Sequence, residues 1–527
     1  MKQRLSAPVI LFLVLLLPAL LWNLGRECII EDEAIRGLVA QEMMIRGDYI
    51  APTLNGEYYY KKPPVYNWFI AASFALHGEA NEWSLRLPTI FFLLLFAWLI
   101  FRVGEKNLNR RVGLLAAMAF LTNGRILFYD SMKGLIDTAF SMTVFLLFVS
   151  IYHFSSSNKW KLLFLSAYAC MSLAFLMKGL PAVVFLVLSL FTWLVYLGEW
   201  RRLFSQGHLL GIMLSIFLLG GYLFVYQLEH DALQLLRVFL LESSKATPVE
   251  QGLWATFQHL FIFPLDLVYH FLPWTLFFIF LIRKDLLKLL GGNSFLMFCT
   301  LTILANIWVY WVSPRVFPRY LFMFLPLLFY LFFYFYEKAE GRLKNLLEWI
   351  LGTLLLLVSL GLPFALRSER VAAIAHAPVL VFAASLALLT VLYLFYHKKS
   401  ERLLWFACGL LILRIVFNGL VIPARLTTEY ASAVLKPLTM EMAEKFEDSR
   451  INIIGTENTY DRYSYYTNSF YITSVTGKVV ARKEIEAIEN DAIYLLDTEL
   501  YSPTGFQILD SVPIRHQKRH LYLVQPK

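Results

Sequence analysis

Acids and bases that suit chemistry on a charged substrate gather at a few points in this sequence. Glu31-Asp32-Glu33 stands directly after an apolar run. Charges at membrane depth are costly and usually functional, whereas acids near an interface are ordinarily solvated. Asn55-Gly56-Glu57-Tyr58-Tyr59-Tyr60-Lys61-Lys62-Pro63-Pro64 follows. Asn-Gly is a turn signal, and the two prolines fix φ and bias Lys62 towards an extended conformation. A lysine so placed is a point charge suited to a phosphate, or else part of a structural turn whose lysines meet lipid head groups. Asp130, Lys133 and Asp137 come next. Asp137 opens a fresh apolar run, the place of a helix N-cap or of an interfacial acid. Lys178-Gly179-Leu180-Pro181 joins two apolar runs almost without a loop, so Lys178 either serves a site or snorkels outward from a helix end. Arg319-Tyr320 ends the proline-punctuated stretch that begins at Ser313. None of these is specific alone. Together they place acids and bases around one rim, as a site for a phosphate-bearing lipid would require.

The elements that must hold this rim are membrane spans. The chain has 527 residues, 58% hydrophobic and only 16% charged, with mean hydropathy +0.59. Soluble domains are about 45–50% apolar and about 25% charged, so the surplus must face lipid. A soluble enzyme, a nucleic-acid binder and a secreted disulfide scaffold are excluded. The net charge of +9 is accounted for by the Lys and Arg that membrane proteins concentrate in cytoplasmic loops. Cys170, Cys299 and Cys408 lie inside apolar runs and Cys28 just after the first, a pattern of four free thiols.

A span needs about 20 apolar residues. Thirteen runs qualify, at about 7–24, 84–103, 112–129, 135–154, 160–177, 179–198, 208–228, 267–283, 294–312, 319–337, 346–366, 379–397 and 403–422. The first follows Lys2 and Arg4 but leads into LWNLGR, with no small-residue cleavage site, and reads as a retained anchor. With the N-terminus inside, inner loops such as 106–111 and 398–402 are rich in Lys and Arg, while short outer loops hold only scattered cations such as Arg125, Arg315 and Arg370. That bias sets the topology and places the C-terminus outside. Two long outer loops remain, about 25–83 and about 229–266. In the first, Ala34 to Ile45 reads as a helix lying along the membrane surface. The tail, 424–527, changes composition. An amphipathic stretch (Thr427 to Phe446) and β-like runs at Ile451–Ile454, Phe470–Val475, Ala492–Leu496 and His520–Val524 predict a small α/β domain. The absence of a sequence repeat weakens a transporter reading.

Asp32-Glu33-Ala34, Gln41-Glu42-Met43, Gly47-Asp48-Tyr49, Pro52, Leu54-Asn55-Gly56-Glu57, Lys62-Pro63-Pro64 and Arg86-Leu87-Pro88 resemble the first outer loop of the ArnT-like lipid-linked glycosyltransferases. These are GT-C fold enzymes related to the protein mannosyltransferases. Asp137, Lys178-Gly179 and Tyr320 are later echoes. The resemblance implies an all-α polytopic membrane protein with residues 1–423 as the GT-C transferase domain and an external α/β domain at 424–527. It implies an inverting transfer of a sugar from undecaprenyl phosphate, at the outer face of the bacterial cytoplasmic membrane, to a glycolipid (lipid A-like), glycan or protein acceptor. By the same resemblance Asp32 is the catalytic carboxylate, with Glu33 and Asp137 beside it. Lys62 contacts the carrier phosphate, with Lys178 and Arg319 as further cations. Tyr59 and Tyr320 line the donor cavity, and Arg86 belongs to the donor-binding set.

The departures are as informative. The usual Arg-Tyr after Asp-Glu-Ala is Ile35-Arg36 here, the acid before the Lys-Pro-Pro turn is Lys61, and an ArnT Glu-His pair aligns with Glu242-Ser243. The lost acid and histidine are those the resemblance assigns to a bound metal, so no zinc and no other cofactor is expected. His230, His259 and His270 lack ligand spacing. Arg36 and Lys61 make the rim more cationic and point to an acceptor rich in phosphate or carboxylate. A protein O-glycosyltransferase is the alternative within this fold. A lipid or glycan flippase would need charges through the membrane's depth, where Arg414 is the exception. A non-catalytic scaffold is opposed by Asp32 and Lys62 standing in register. No nucleic-acid partner is expected.

Overall fold

Long apolar runs with few charges can satisfy their backbone inside a bilayer only as helices, and that is how these runs fold. The computed structural model describes residues 5–244, 252–314, 316–455, 465–514 and 520–527, with the side chains of 240, 242–244 and 253 excepted. Lys2, Arg4 and Arg315 of the charge pattern therefore lie outside the described residues. Among those described, nine helices are long and apolar enough to cross a membrane, from Glu82–Asn107 to Lys399–Leu426, and Ala7–Leu21 and Pro181–Tyr196 are shorter apolar helices. Two expected spans fold differently. The run 319–337 becomes a 3-10 turn, Pro318–Leu321, and the helix Leu325–Lys338. The run 267–283 is divided between the end of Leu253–His270 and the 3-10 segment Trp274–Leu281. Pro273 stands at the break, where it can donate no backbone N–H to a continuing helix. All four cysteines are free.

The first loop is built on the helix Asp32–Arg46. Glu31 precedes it at φ +55°, a region most residues avoid. Asp32 and Glu33 occupy its first turn, where the helix dipole favours acids. Gly47 ends it at φ +70°, the left-handed terminator glycine supplies. This helix is enclosed by protein rather than left open on one face. Residues 33–43 are all buried, covered by the helices Val65–His77 and Tyr466–Thr476. After it comes a hairpin of β1 (Thr53–Leu54) and β2 (Glu57–Tyr58). Asn55 and Gly56, at φ +52° and +75°, form the two-residue turn their sequence predicts. Glu42 fixes that turn from beneath. Its carboxylate accepts the Thr53 hydroxyl at 2.6 Å and the Asn55 and Gly56 N–H groups at 2.6 and 3.1 Å.

The tail forms a five-stranded sheet in the order β4 (Arg482–Lys483), β3 (Ile451–Ile454), β5 (Ile493–Asp497), β7 (His520–Pro526), β6 (Phe506–Pro513). β3 runs parallel to β4 and β5, and the remaining pairs are antiparallel. The expected strand at Phe470–Val475 is instead part of the helix Tyr466–Thr476. The parallel step from β3 to β4 needs a crossover, and this helix supplies it. Neither β4 nor β6 coincides with a β-like run of the sequence reading. The amphipathic stretch contains the helix Lys436–Lys445, whose Met442 and Ala443 share one hydrophobic cluster with Ile453, Leu521 and Leu523 of the sheet.

Tail and first loop are joined by direct contacts. Phe470 sits against Gly37, where a Cβ would fall 2.7 Å from the ring. The Gln41 amide donates to Ser474 at 2.6 Å, and the Tyr471 hydroxyl donates to Glu82 at 2.7 Å. The Asn55 side chain donates to the Val480 carbonyl at 2.8 Å, and the Arg482 N–H returns a bond to the Asn55 carbonyl at 2.8 Å.

Candidate active site

Five separate elements bring their charged ends to one cleft of about 260 Å³. Asp32 comes from the start of the loop helix, and Arg36 from one turn further along it. The irregular segment that leaves the hairpin supplies Tyr59, Lys61 and Lys62. Asp137 begins the helix Asp137–Ser156, and Lys178 ends the helix Trp160–Lys178. Arg319 and Tyr320 come from the turn Pro318–Leu321. The tail closes the cleft with Tyr466 and Arg482.

A single charge network ties these together. Arg319 Nη2 donates to Asp32 Oδ2 at 3.0 Å, and its Nε lies 3.0 Å from Asp137 Oδ2. The second contact is electrostatic, because the Nε–H is not aimed at the oxygen. Lys178 Nζ donates to Asp137 Oδ1 at 2.6 Å and stands 3.5 Å from the centre of the Tyr320 ring, a cation–π contact. Asp137 is therefore neither an N-cap nor a solvated acid, and Lys178 does not snorkel outward. Both are buried, and Asp137 serves two cations at once. Asp32 differs, with 46% of its side chain exposed and its free oxygen facing the cleft.

Glu33 and Arg86, grouped by sequence with the catalytic and donor-binding residues, are placed elsewhere. Neither lines the cleft. Arg86 donates to both oxygens of Glu33, at 2.7 and 3.0 Å, and to the Leu24 carbonyl at 2.7 Å. The Gly134 N–H adds a bond at 2.8 Å and Lys133 lies 3.9 Å away. Burial alone would raise the Glu33 pKa, but Arg86, Lys133 and the Gly134 N–H hold it below the ordinary carboxylate value. The helix phase explains the separation: consecutive residues point about 100° apart, so Asp32 faces the cleft while Glu33 faces the core. Asp130 pairs with Arg125 at 2.7 and 3.1 Å, and burial raises its pKa.

Tyr59 accepts a hydrogen bond from Arg36 Nη2 at 2.6 Å, and burial pushes its phenol up to about 12. Tyr466 and Arg482 could not be found from sequence spacing, since more than 400 positions separate them from the loop they complete. The turn signal at Asn55 marks the partner of Arg482 but neither tail residue. Among the described residues no group of three or more His, Cys, Asp and Glu is arranged to hold a metal. His230 lies 3.4 Å from Asp48, and His259 Nδ1 is 2.9 Å from the Trp311 carbonyl. The side chains of Glu242 and Ser243 lie outside the described residues.

The chain is similar to several known proteins. Residues 61–236 match the family model described as dolichyl-phosphate-mannose-protein mannosyltransferase. An uncharacterised protein of Aquifex aeolicus (strain VF5) is 27% identical over 369 residues, 67% of this chain and 69% of that one. The undecaprenyl phosphate-alpha-4-amino-4-deoxy-L-arabinose arabinosyl transferase of Pseudomonas aeruginosa (strain LESB58) is 27% identical over 210 residues. That match spans 38% of this chain and only 37% of the transferase. The crystal structure of ArnT from Cupriavidus metallidurans bound to undecaprenyl phosphate superposes with a TM-score of 0.71 at 15% identity, covering 98% of both chains.

Proposed function

We propose that this chain, which has the ArnT-like GT-C fold, is a polyprenyl-phosphate-sugar-dependent glycosyltransferase of the bacterial cytoplasmic membrane. Its N-terminus lies inside, and its cleft and tail lie outside. The observation that carries the reading is the Asp32–Arg319–Asp137–Lys178 network: buried cations fixed by a carboxylate, beside one exposed carboxylate, where span ends meet. The donor is a sugar on undecaprenyl phosphate, as the names of the relatives suggest.

Such a donor carries its own leaving group. As the anomeric C–O bond breaks, negative charge grows on the departing phosphate, and preorganised cations stabilise it without having to reorganise. Lys178 and Arg319 are held for that task by Asp137, and Lys62 lines the same cleft. Asp32 takes the proton of an attacking hydroxyl, a contribution of about 10²–10⁴-fold. Where the nucleophile is already a phosphate oxygen, Asp32 orients it instead. Attack opposite the leaving phosphate inverts the anomeric centre. None of these steps requires zinc. The acceptor is a glycolipid or envelope glycan. The match to the protein mannosyltransferase model favours a protein hydroxyl as the second reading.

Mass spectrometry of lipids and envelope glycans from three strains tests the proposal: gene deleted, rescued with wild type, and rescued with Asp32→Asn at matched protein level. The deletion and the variant are expected to accumulate one undecaprenyl-phosphate sugar and to lose that sugar from one product. The product's class separates glycolipid from protein. Unchanged carrier-linked sugars in every strain would remove the transferase reading in favour of transport or scaffolding.

A further inference from the structure

Among the described residues, Arg36 is a buried cation without an ion-pair partner. Its side chain is only 6% exposed, yet it lines the cleft. Among the described residues no carboxylate oxygen comes within the 4.0 Å of an ion pair, and Nη1 has no hydrogen-bond partner. The other terminal nitrogen, Nη2, donates to the Tyr59 hydroxyl, and the guanidinium also stands 5.3 Å from the centre of the Tyr59 ring. That phenol stays neutral, so it answers a hydrogen bond but not the charge. Asp32, one helical turn away, is engaged by Arg319.

Burying an uncompensated guanidinium is costly to a fold. Evolution keeps such groups where a ligand supplies the missing charge. Lys61 lines the same cleft, and the tail's Arg482, 5% exposed, pairs with the half-exposed Glu57 at 2.7 Å. The cations at the other end, Lys178 and Arg319, are balanced by Asp137 and Asp32. Among the described residues the cleft is thus asymmetric: Lys178 and Arg319 stand against carboxylates at an end suited to a carrier phosphate, whereas Arg36 has no ion-pair partner.

We propose that Arg36 is the centre of a second anion subsite, distinct from the carrier-phosphate end, which binds a carboxylate or phosphate borne by the transferred sugar or by the acceptor. The inference rests on the transferase reading above and adds a substrate class to it. It makes a cationic sugar the poorest donor, unlike the amino sugar named for the relatives.

The test uses the full chain in lipid nanodiscs and two competition series. In the first, undecaprenyl-phosphate-linked glucuronic acid, glucose and 4-amino-4-deoxyarabinose compete for binding; in the second, lipid A competes with its dephosphorylated form. A charge-assisted bidentate contact corresponds to about tenfold or more in affinity. The expected result is that preference for the anionic compound in one series, which identifies whether sugar or acceptor bears the group. Arg36→Gln should collapse the ratio towards one while the affinity for undecaprenyl phosphate alone stays within about twofold. Arg36→Lys should keep part of the ratio. Lys61→Gln, on the more open wall, should lower it by a smaller factor and stands in should Arg36→Gln fold poorly. Equal affinities in both series, or a ratio that survives Arg36→Gln, would overturn the subsite. Loss of undecaprenyl phosphate binding in wild type would instead overturn the carrier reading, and the lipid A series would still report on Arg36.

Discussion

Two adjacent acids, Asp32 and Glu33, should fail in opposite ways when neutralised. Glu33→Gln replaces one carboxylate oxygen by an NH₂ group inside a shell that offers only donors: Arg86 at 2.7 and 3.0 Å, the Gly134 N–H at 2.8 Å and Lys133 at 3.9 Å. It leaves Arg86, 1% exposed, without its counter-charge. Removing one partner of a buried ion pair costs about 3–5 kcal/mol, against a total stability of about 5–15 kcal/mol. The folded-to-unfolded ratio should fall by about 10²-fold or more, because each 1.4 kcal/mol is about a factor of ten. Turnover per folded molecule should change by less than about threefold, since Glu33 does not border the cleft. Asp32→Asn loses one pairing of a 46%-exposed carboxylate, worth at most about 1 kcal/mol, so its thermal midpoint should barely move. Its kcat should fall by about 10²–10⁴-fold if a hydroxyl is the nucleophile. The assay is thermal unfolding in nanodiscs beside single-turnover transfer normalised to folded protein. A Glu33→Gln protein of normal stability with kcat reduced a hundredfold would place Glu33 in the chemistry and refute the division of labour argued here.

Gly37→Val would drive side-chain carbon into Phe470, whose ring already stands 2.7 Å from the position of a Cβ. Overpacking of this kind costs about 1–3 kcal/mol, and Phe470→Leu in the same chain should recover part of it in a melting experiment. Glu33 also sets an acid limit. Its folded-state pKa is lowered, so its stabilisation is complete above the ordinary value near 4.5 and is lost as pH falls through the lower folded value. Unfolding midpoints recorded from pH 6 to pH 3 should therefore drop more steeply in wild type than in Glu33→Gln, and parallel curves would oppose the assignment. Washing the purified protein with EDTA should leave its transfer rate unchanged, and recovery of a lost rate by added zinc would show that a metal takes part.

Much of this architecture could be read from sequence because its causes are local. Apolar length alone marked the nine helices that are long enough to cross a membrane among the described residues, though not the breaks within 267–283 and 319–337, and Asn55-Gly56 announced a hairpin because those two residues accept positive φ. What sequence could not separate was which of two neighbouring acids faces the cleft. That depends on where Arg86, 53 positions away, meets the helix, and spacing along the chain carries no such information. The same holds for Phe470–Val475. Its residues suit a strand by type, but the parallel pairing of β3 with β4 demanded a crossover there, and tertiary topology overrode local propensity. Asp137 and Lys178 each had an ordinary reading at a span end. Only their 2.6 Å contact turned two helix termini into one pair.

The tail makes the site dependent on a part of the chain that carries none of its recognisable motifs. The hairpin that leads to Lys61 and Lys62 has only two residues in each strand, too few to be stable alone. It is held from inside by Glu42 and from outside by Val480, Ser469 and Arg482, through three hydrogen bonds of Asn55 and one ion pair of Glu57. Loosening the tail should therefore blur the position of Lys61 and Lys62 before it unfolds any span, whereas Asp137 and Lys178, anchored at span ends, and Arg319, held by Asp137, should keep their places. Asn55→Ala separates these outcomes. It removes both side-chain bonds to the tail and puts alanine at φ +52°, a combined cost of about 2–4 kcal/mol confined to the hairpin. Hydrogen exchange should then rise at residues 53–62 and stay unchanged in the helices Asp137–Ser156 and Trp160–Lys178. Exchange that rises equally in both regions would mean that the cleft is one cooperative unit, with no separate dependence on the tail.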